Sequence, residues 1–265
     1  MTERAPLSVD RRDDGVVLLT LALAERRNAM TAELTSAWVG AVAGLAGDPG
    51  VRCVVVTGEG SAFCAGGDLS WIAESPELTV SDLRDRMLTF YRSWLAIREL
   101  EVPVVAAVNG PAVGAGLCLA LACDLRYAAR ERAVFSAPFT QLGMHAGMAA
   151  TWLLPEAVGV TRARELLFTG RRVGADEALS IGLVHGVVDD DALLAETLAI
   201  AARIAAAGPL ATRLTKAALA SGAHRSFDEA LAWEALAQPV TMATADLREG
   251  LAAQREKRRA VFTGR

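Results

Sequence analysis

Two units of strand, glycine turn and helix constrain this chain more than any other feature. The first runs Val51-Arg52-Cys53-Val54-Val55-Val56-Thr57 and reaches the turn Phe63-Cys64-Ala65-Gly66-Gly67-Asp68. The second runs Val102-Pro103-Val104-Val105-Ala106-Ala107-Val108 and reaches Asn109-Gly110-Pro111-Ala112-Val113-Gly114-Ala115-Gly116. Such a turn leaves backbone N–H groups without intrachain acceptors. It aims them, with the positive end of a helix dipole, at an anion or a developing oxyanion. Two such turns fit a site where one donor from each meets the same oxygen. A dinucleotide site is a poor match, because the third glycine of its fingerprint falls on Leu119 and the unit is not the first βα turn.

The rest of the pattern places these turns in an α/β chain. Val16–Leu23 reads as the opening strand and Thr31 as the N-cap of a helix from Ala32 to Ala46. Arg52–Thr57 is the next strand. A helix from Ser81 to Leu100 buries one face through Leu83, Met87, Phe90, Trp94 and Ile97. Short strands follow at Leu125–Ala129 and Val134–Phe135. Alternating strands and helices predict a parallel sheet with right-handed crossovers. Beyond residue 145 the pattern is helical over 148–158, 162–168, 175–180, 192–206, 209–220, 227–237 and 242–259, with one strand at Leu183–Val188.

Composition narrows the function classes. A net charge of −4, with lysine only at 216 and 257, gives no basic surface for nucleic acid. The most apolar stretch, Val102 to Leu125, is broken by Asn109, Gly110, Pro111 and Gly114, so no membrane span is predicted. Met1-Thr2-Glu3-Arg4 lacks a basic-then-apolar signal pattern, and a cytoplasmic location is the expectation. Cys53, Cys64, Cys118 and Cys123 form no C-x-x-C pair and read as small core residues. His145, His185 and His224 show no metal-ligand spacing, so no metal is expected.

The motifs in their order resemble the crotonase (enoyl-CoA hydratase/isomerase) superfamily over nearly the whole chain. They are Glu25-Arg26-Arg27-Asn28-Ala29-Met30, Thr57 through Leu69, Val108 through Asp124, Leu154-Pro155-Glu156-Ala157-Val158-Gly159, Phe168-Thr169-Gly170-Arg171, Gly182-Leu183-Val184 and Glu256-Lys257-Arg258. The resemblance implies an α/β fold of repeated ββα units. Residues 1–200 would form the acyl-CoA-binding core and residues 201–265 a helical trimerisation region, giving a trimer or a dimer of trimers. It implies an acyl-CoA substrate whose thioester oxygen is held by the backbone N–H groups of Ala65 and Ala115, with no cofactor beyond the coenzyme A of the substrate. The implied substrate-binding set is Arg26, Arg27, Ala29, Gly66, Gly67, Asp68, Leu69, Gly114 and Lys257, with Arg26, Arg27 and Lys257 facing the CoA phosphates. Ala115 stands where relatives carry glycine, which is tolerable unless the position needs a positive φ.

Catalysis is where the chain departs from that pattern. Hydratases resemble one another in two glutamates, and the matching positions hold Cys118 and, in Pro138-Phe139-Thr140-Gln141-Leu142-Gly143, Phe139. Water addition needs one group to activate water and another to deliver a proton. A thiol and a phenyl ring cannot do both, so isomerisation, which one base can perform, is the expected chemistry, with a non-catalytic acyl-CoA carrier as the alternative. Cys118 reads as a core residue or as a thiol activated by the helix N-terminus, and Phe139 as an apolar wall that excludes water. His145 is the candidate acid/base, being the one histidine in the presumed site. Glu74, Glu77 and Asp82 are secondary candidates. Asp68 reads as a cap of the following turn, and Glu156 and Asp124 as structural charges.

Overall fold

The computed structural model describes residues 5–68, 70, 77–220 and 226–265. Its larger sheet has the order β1 (Leu7–Arg11), β2 (Val16–Leu21), β3 (Cys53–Gly58), β4 (Val104–Val108), β6 (Leu125–Ala129), β9 (Gly186–Val188). β1 and β2 are antiparallel, and every other pair in this sheet is parallel. β3 and β4 are buried along their whole length, as β-branched runs covered on both faces must be. A second sheet joins β5 (Ala112–Val113), β7 (Val134–Ser136) and β8 (Val173–Gly174). The opening strand is therefore β1, not β2. Four of its five residues are exposed, so it carries no apolar alternation to read.

Helix α1 (Ala32–Leu45) starts where the sequence puts it, with the Thr31 hydroxyl accepting the Leu34 N–H at 3.2 Å. α2 (Val80–Leu95) opens on a capping box in which Thr79 and Asp82 satisfy each other's backbone donors. Trp94 of α2 stacks on Trp38 of α1 at 4.9 Å, and its indole N–H donates to Thr35 at 3.0 Å. This contact fixes the height of α2 over the first glycine turn. α3 (Ala115–Ala122) is buried throughout, and α4 (Ala150–Thr169) breaks at Gly159, whose non-helical backbone (φ 76°) divides it into the two helices predicted.

α5 (Ala175–Ser180) and α6 (Leu193–Ala205) complete the layer over the sheet. α7 (Pro209–Ala220), α8 (Phe227–Met242) and α9 (Ala245–Glu256) follow. These last three expose Leu219, Phe227, Leu231, Leu236, Val240, Met242 and Leu251. The terminal segment is strapped to the core by Arg52, whose guanidinium donates to the carbonyls of Ala205 at 3.2 Å and Phe262 at 2.8 Å. Among the described residues no single helix is long and apolar enough to cross a membrane, and α6 with α7 reaches that composition only as a pair bent by 105°.

Candidate active site

The two glycine turns meet. Val113 donates its N–H to the Cys64 carbonyl at 3.0 Å, and the N–H groups of Phe63 and Cys64 both reach the Pro111 carbonyl at 3.1 Å. Gly66 lies against the second turn with φ +99°, and a Cβ there would stand 2.6 Å from the Val113 carbonyl oxygen. Gly116 is tighter still, because its Cβ would enter the Cys64 carbonyl. Neither position accepts a side chain without moving backbone. Behind them Asn28 accepts the Leu23 N–H at 3.0 Å and donates to the carbonyls of Glu59 and Ala62 at 3.0 and 2.8 Å. Asn109 accepts the Gly58 N–H at 3.1 Å and donates to the Gly60 carbonyl at 3.2 Å. Two buried or half-buried amides thus hold the turn from both ends.

The direction of each N–H decides the donor set, and it corrects one expectation. The N–H of Ala65 is spent on the Arg27 carbonyl at 3.0 Å, so it does not face a ligand. Two residues on, Gly67 forms a parallel bridge with Met30, while the Met30 N–H reaches the Gly66 carbonyl at 2.8 Å. In that pairing the N–H of Gly67 points away from Met30, and it has no acceptor among the described residues. Ala115 is the first residue of α3, so its N–H has no intrahelical acceptor, and it too is unpaired. Its φ is not positive, which is why alanine serves there in place of glycine.

Gly67 and Ala115 line one cavity of about 100 Å³, with Met87, Phe90 and Tyr91 of α2 opposite and Phe139, Leu142, Met144, Gly147 and Met148 closing the end. The Phe139 ring lies 3.9 Å from where a Gly114 Cβ would be. It is the apolar wall that the sequence suggests. A larger groove of about 820 Å³ shares Gly67, Met87 and Phe90 with this cavity and continues past Met30, Asp68 and Arg86. Backbone strain concentrates around the site. Arg27, Asn28, Met148 and Ala149 all take left-handed conformations, with φ between 51° and 55°, which costs each non-glycine residue about 1–3 kcal/mol.

The remaining candidates divide. Cys118 is buried, donates its S–H to the Gly147 carbonyl at 3.7 Å, and lies outside the cavity wall. Burial pushes its thiol up to about 12, so the helix N-terminus does not activate it. The His145 side chain is exposed, its Nδ1 lies 2.7 Å from the carbonyl of its own neighbour Ala146, and it lines no part of the cavity, because the loop turns Met144 and Gly147 inward instead. Asp82 is the capping residue of α2, Glu77 is exposed, and Glu74 and Leu69 lie outside the described residues.

Asp68 accepts the Ser70 N–H at 3.2 Å and pairs with Arg26 at 2.9 Å. These contacts, the Ser70 N–H foremost, hold its carboxyl below the usual range. Asp124 accepts the Val104 N–H at 2.7 Å and Lys216 at 2.8 Å, a structural use. Glu156 is exposed beside another groove. Arg27 and Lys257 are exposed, Ala29 is half-buried, and Lys257 ends α9 in a left-handed conformation. The sequence does not single out the Gly67 N–H as a donor, although Gly67 is in the implied substrate-binding set, nor does it single out Tyr91. The first is visible only once Met30 is known to pair with it, and the second sits one residue off the apolar stripe of α2.

Comparison with known proteins gives one family. A family model described as enoyl-CoA hydratase/isomerase matches residues 11–265. The chain is 37% identical over 252 residues to a protein named crotonyl-CoA hydratase from Syntrophomonas wolfei, covering 95% of each. It superposes on the crystal structure of an enoyl-CoA hydratase from Bacillus anthracis with a TM-score of 0.92 at 34% identity, over 98% of this chain and 100% of that one. It matches an enoyl-CoA hydratase from Mycobacterium smegmatis with a TM-score of 0.88 at 33% identity, over 97% and 98% of the two chains.

Proposed function

Because this chain belongs to the enoyl-CoA hydratase/isomerase family of the crotonase superfamily, we propose that it binds an acyl-CoA thioester with the carbonyl oxygen between the N–H groups of Gly67 and Ala115. The observation that carries this reading is that these two N–H groups, one from each glycine turn, are unpaired and line the same small cavity. Donors already fixed in place stabilise an enolate oxygen with little reorganisation, each typically worth about 3–4 kcal/mol. The acyl group occupies the small cavity, and the groove that joins it at Gly67, Met87 and Phe90 has the volume for the pantetheine arm. Arg27 and Lys257 are the cations available to CoA phosphates, and Arg26 is shared with Asp68.

Within this family we favour double-bond isomerisation over hydration. Phe139, at the position where the family resemblance implies the second hydratase glutamate, lines the cavity, and Cys118 is turned away from it. The supporting chemistry is that shifting a double bond through a thioester enolate requires only a proton taken from one carbon and returned to another. A non-catalytic acyl-CoA carrier is the second reading, favoured by one observation: among the described residues no carboxylate lines the cavity.

We further propose that α7, α8 and α9 bury their exposed leucines, Phe227 and Met242 between subunits of a trimer. Sedimentation at micromolar protein is expected to show a trimer or hexamer, and a stable monomer would remove that assembly. Isothermal titration with butyryl-CoA tests the central reading. Saturable binding is expected, and no heat at millimolar ligand would end it.

A further inference from the structure

Fifteen of the described residues line the cavity, and among them one side chain, Tyr91, carries an exchangeable proton. The other described residues of the wall are aliphatic, aromatic, thioether, proline or glycine. Tyr91 is half-buried, on the turn of α2 that also presents Met87 and Phe90. Its hydroxyl is seated over Gly147, where a Cβ would enter the hydroxyl oxygen, so the absence of a side chain at 147 makes room for it. The phenol stands on the α2 wall of the same 100 Å³ cavity whose other wall holds the Gly67 and Ala115 N–H groups. In so small a space a group on one wall is within reach of an acyl α-carbon held at the other.

We propose that Tyr91 is the proton-transfer residue of this site, exchanging a proton between its phenol oxygen and the α-carbon of a bound acyl thioester. The proposal rests on the acyl-CoA reading above. In the forward step the Tyr91 phenolate takes the α-proton, so an O–H bond forms and the C–H bond breaks. The C–H electron pair becomes the C=C bond of the enolate, and the carbonyl π pair moves to the oxygen, which Gly67 and Ala115 hold. The reverse step returns the proton to the α-carbon. For an enoyl chain, returning it to the γ-carbon instead shifts the double bond. No other reactant is consumed.

The environment sets the pH at which this works. Burial raises the Tyr91 phenol above its ordinary value and outweighs the Met148 N–H, which favours the phenolate. The reactive base is therefore scarce at neutral pH, and catalysis climbs with alkalinity.

The experiment follows α-hydrogen exchange of butyryl-CoA in deuterated buffer by mass spectrometry between pH 7 and 10.5. The uncatalysed rate is subtracted, and binding is measured in parallel. The native protein is expected to exchange with a rate that rises with pH toward the ionisation of Tyr91. That ionisation is read independently by ultraviolet difference titration of the native protein against Tyr91→Phe, since Tyr127 is the one other tyrosine. Tyr91→Phe is expected to lose about 10²–10⁴-fold of the exchange rate with butyryl-CoA affinity within about threefold. Gly147→Ala, which keeps the phenol but displaces it, is expected to lose exchange as well.

Equal exchange in Tyr91→Phe, a plateau near neutral pH, or tight binding without exchange in the native protein would each overturn the role of Tyr91. Absence of butyryl-CoA binding to the native protein would instead overturn the acyl-CoA reading beneath it.

Discussion

The two walls of the cavity are built by different means. On one side the groups proposed to hold a ligand are backbone, the N–H groups of Gly67 and Ala115, fixed by hydrogen bonds from Met30, Val113, Asn28 and Asn109. On the other side they are side chains of α2 and of the loop 138–148, and helix packing through Trp38 and Trp94 positions them. A backbone donor survives exchange of its own side chain, so Ala115 can replace glycine without loss of the N–H. A proton-moving side chain has no such protection. The same fold can therefore keep its oxyanion site while the acid/base group is lost or moves to another element. Binding and stabilisation belong to the first wall, and the identity of the reaction belongs to the second.

The largest expected effect tests the second wall. Hydration of crotonyl-CoA should be at least about 10⁴-fold slower than in a relative with both glutamates, since each lost acid/base group costs roughly 10² or more. A spectrophotometric assay beside a two-glutamate hydratase measures it. Comparable turnover would mean that water reaches the substrate past Phe139, and the contrast between the walls would fail.

The next effect tests the first wall. Gly116→Ala drives a Cβ into the Cys64 carbonyl, which is backbone and cannot rotate away. Overpacking of this kind costs about 1–3 kcal/mol, or roughly 3–10 °C of melting temperature for a domain of this size. The two turns must part to relieve it, so butyryl-CoA binding should weaken as well. Calorimetry and titration on the same variant check both. A stable variant that binds normally would show that the donors do not depend on the contact between turns.

How much of this was legible in the sequence follows the same division. Thr31, β3 and α5 fall where local chemistry puts them, because a cap, a β-branched run and a short amphipathic turn are short-range signals. The meeting of the two turns was legible too, since glycine at 66, 114 and 116 has few other uses. Which N–H faces inward was not. That depends on Arg27 and Met30, brought in by a loop far away in sequence, and it leaves the Ala65 N–H spent and the Gly67 N–H without an acceptor among the described residues. β1 was missed because four of its five residues are exposed, on both faces, which leaves no alternation to read. α8 runs on through Pro239 to Met242, past the point where the local rule ends a helix before proline.

A smaller effect concerns the four thiols. Cys53, Cys64, Cys118 and Cys123 are buried, and burial pushes each up to about 12. The sign is fixed by linkage. The unfolded chain loses these protons near the ordinary thiol value, the folded chain keeps them, and stability therefore falls as pH rises from there toward about 12. Each thiol contributes at most about 1.4 kcal/mol per pH unit to that slope. Urea unfolding between pH 9 and 11 under reducing conditions should show a shallower slope in Cys118→Ala than in the native protein. An unchanged slope would mean that the thiol ionises in the folded state and is accessible to the cavity after all.

The smallest expected effect is at His145, and it sharpens the comparison most cheaply. By residue type His145 is the natural acid/base group at neutral pH. By geometry its ring is exposed, its Nδ1 faces its own neighbour's carbonyl, and the cavity beside it is closed by Met144 and Gly147. If position on the wall decides, His145→Ala should leave both butyryl-CoA affinity and α-hydrogen exchange within about twofold, well under the 10²–10⁴ of a working acid/base group. A loss of exchange beyond about tenfold, with binding intact, would show that the loop 142–149 turns the ring inward around a bound substrate. The second wall would then be one that its ligand assembles, while the first stands complete without it.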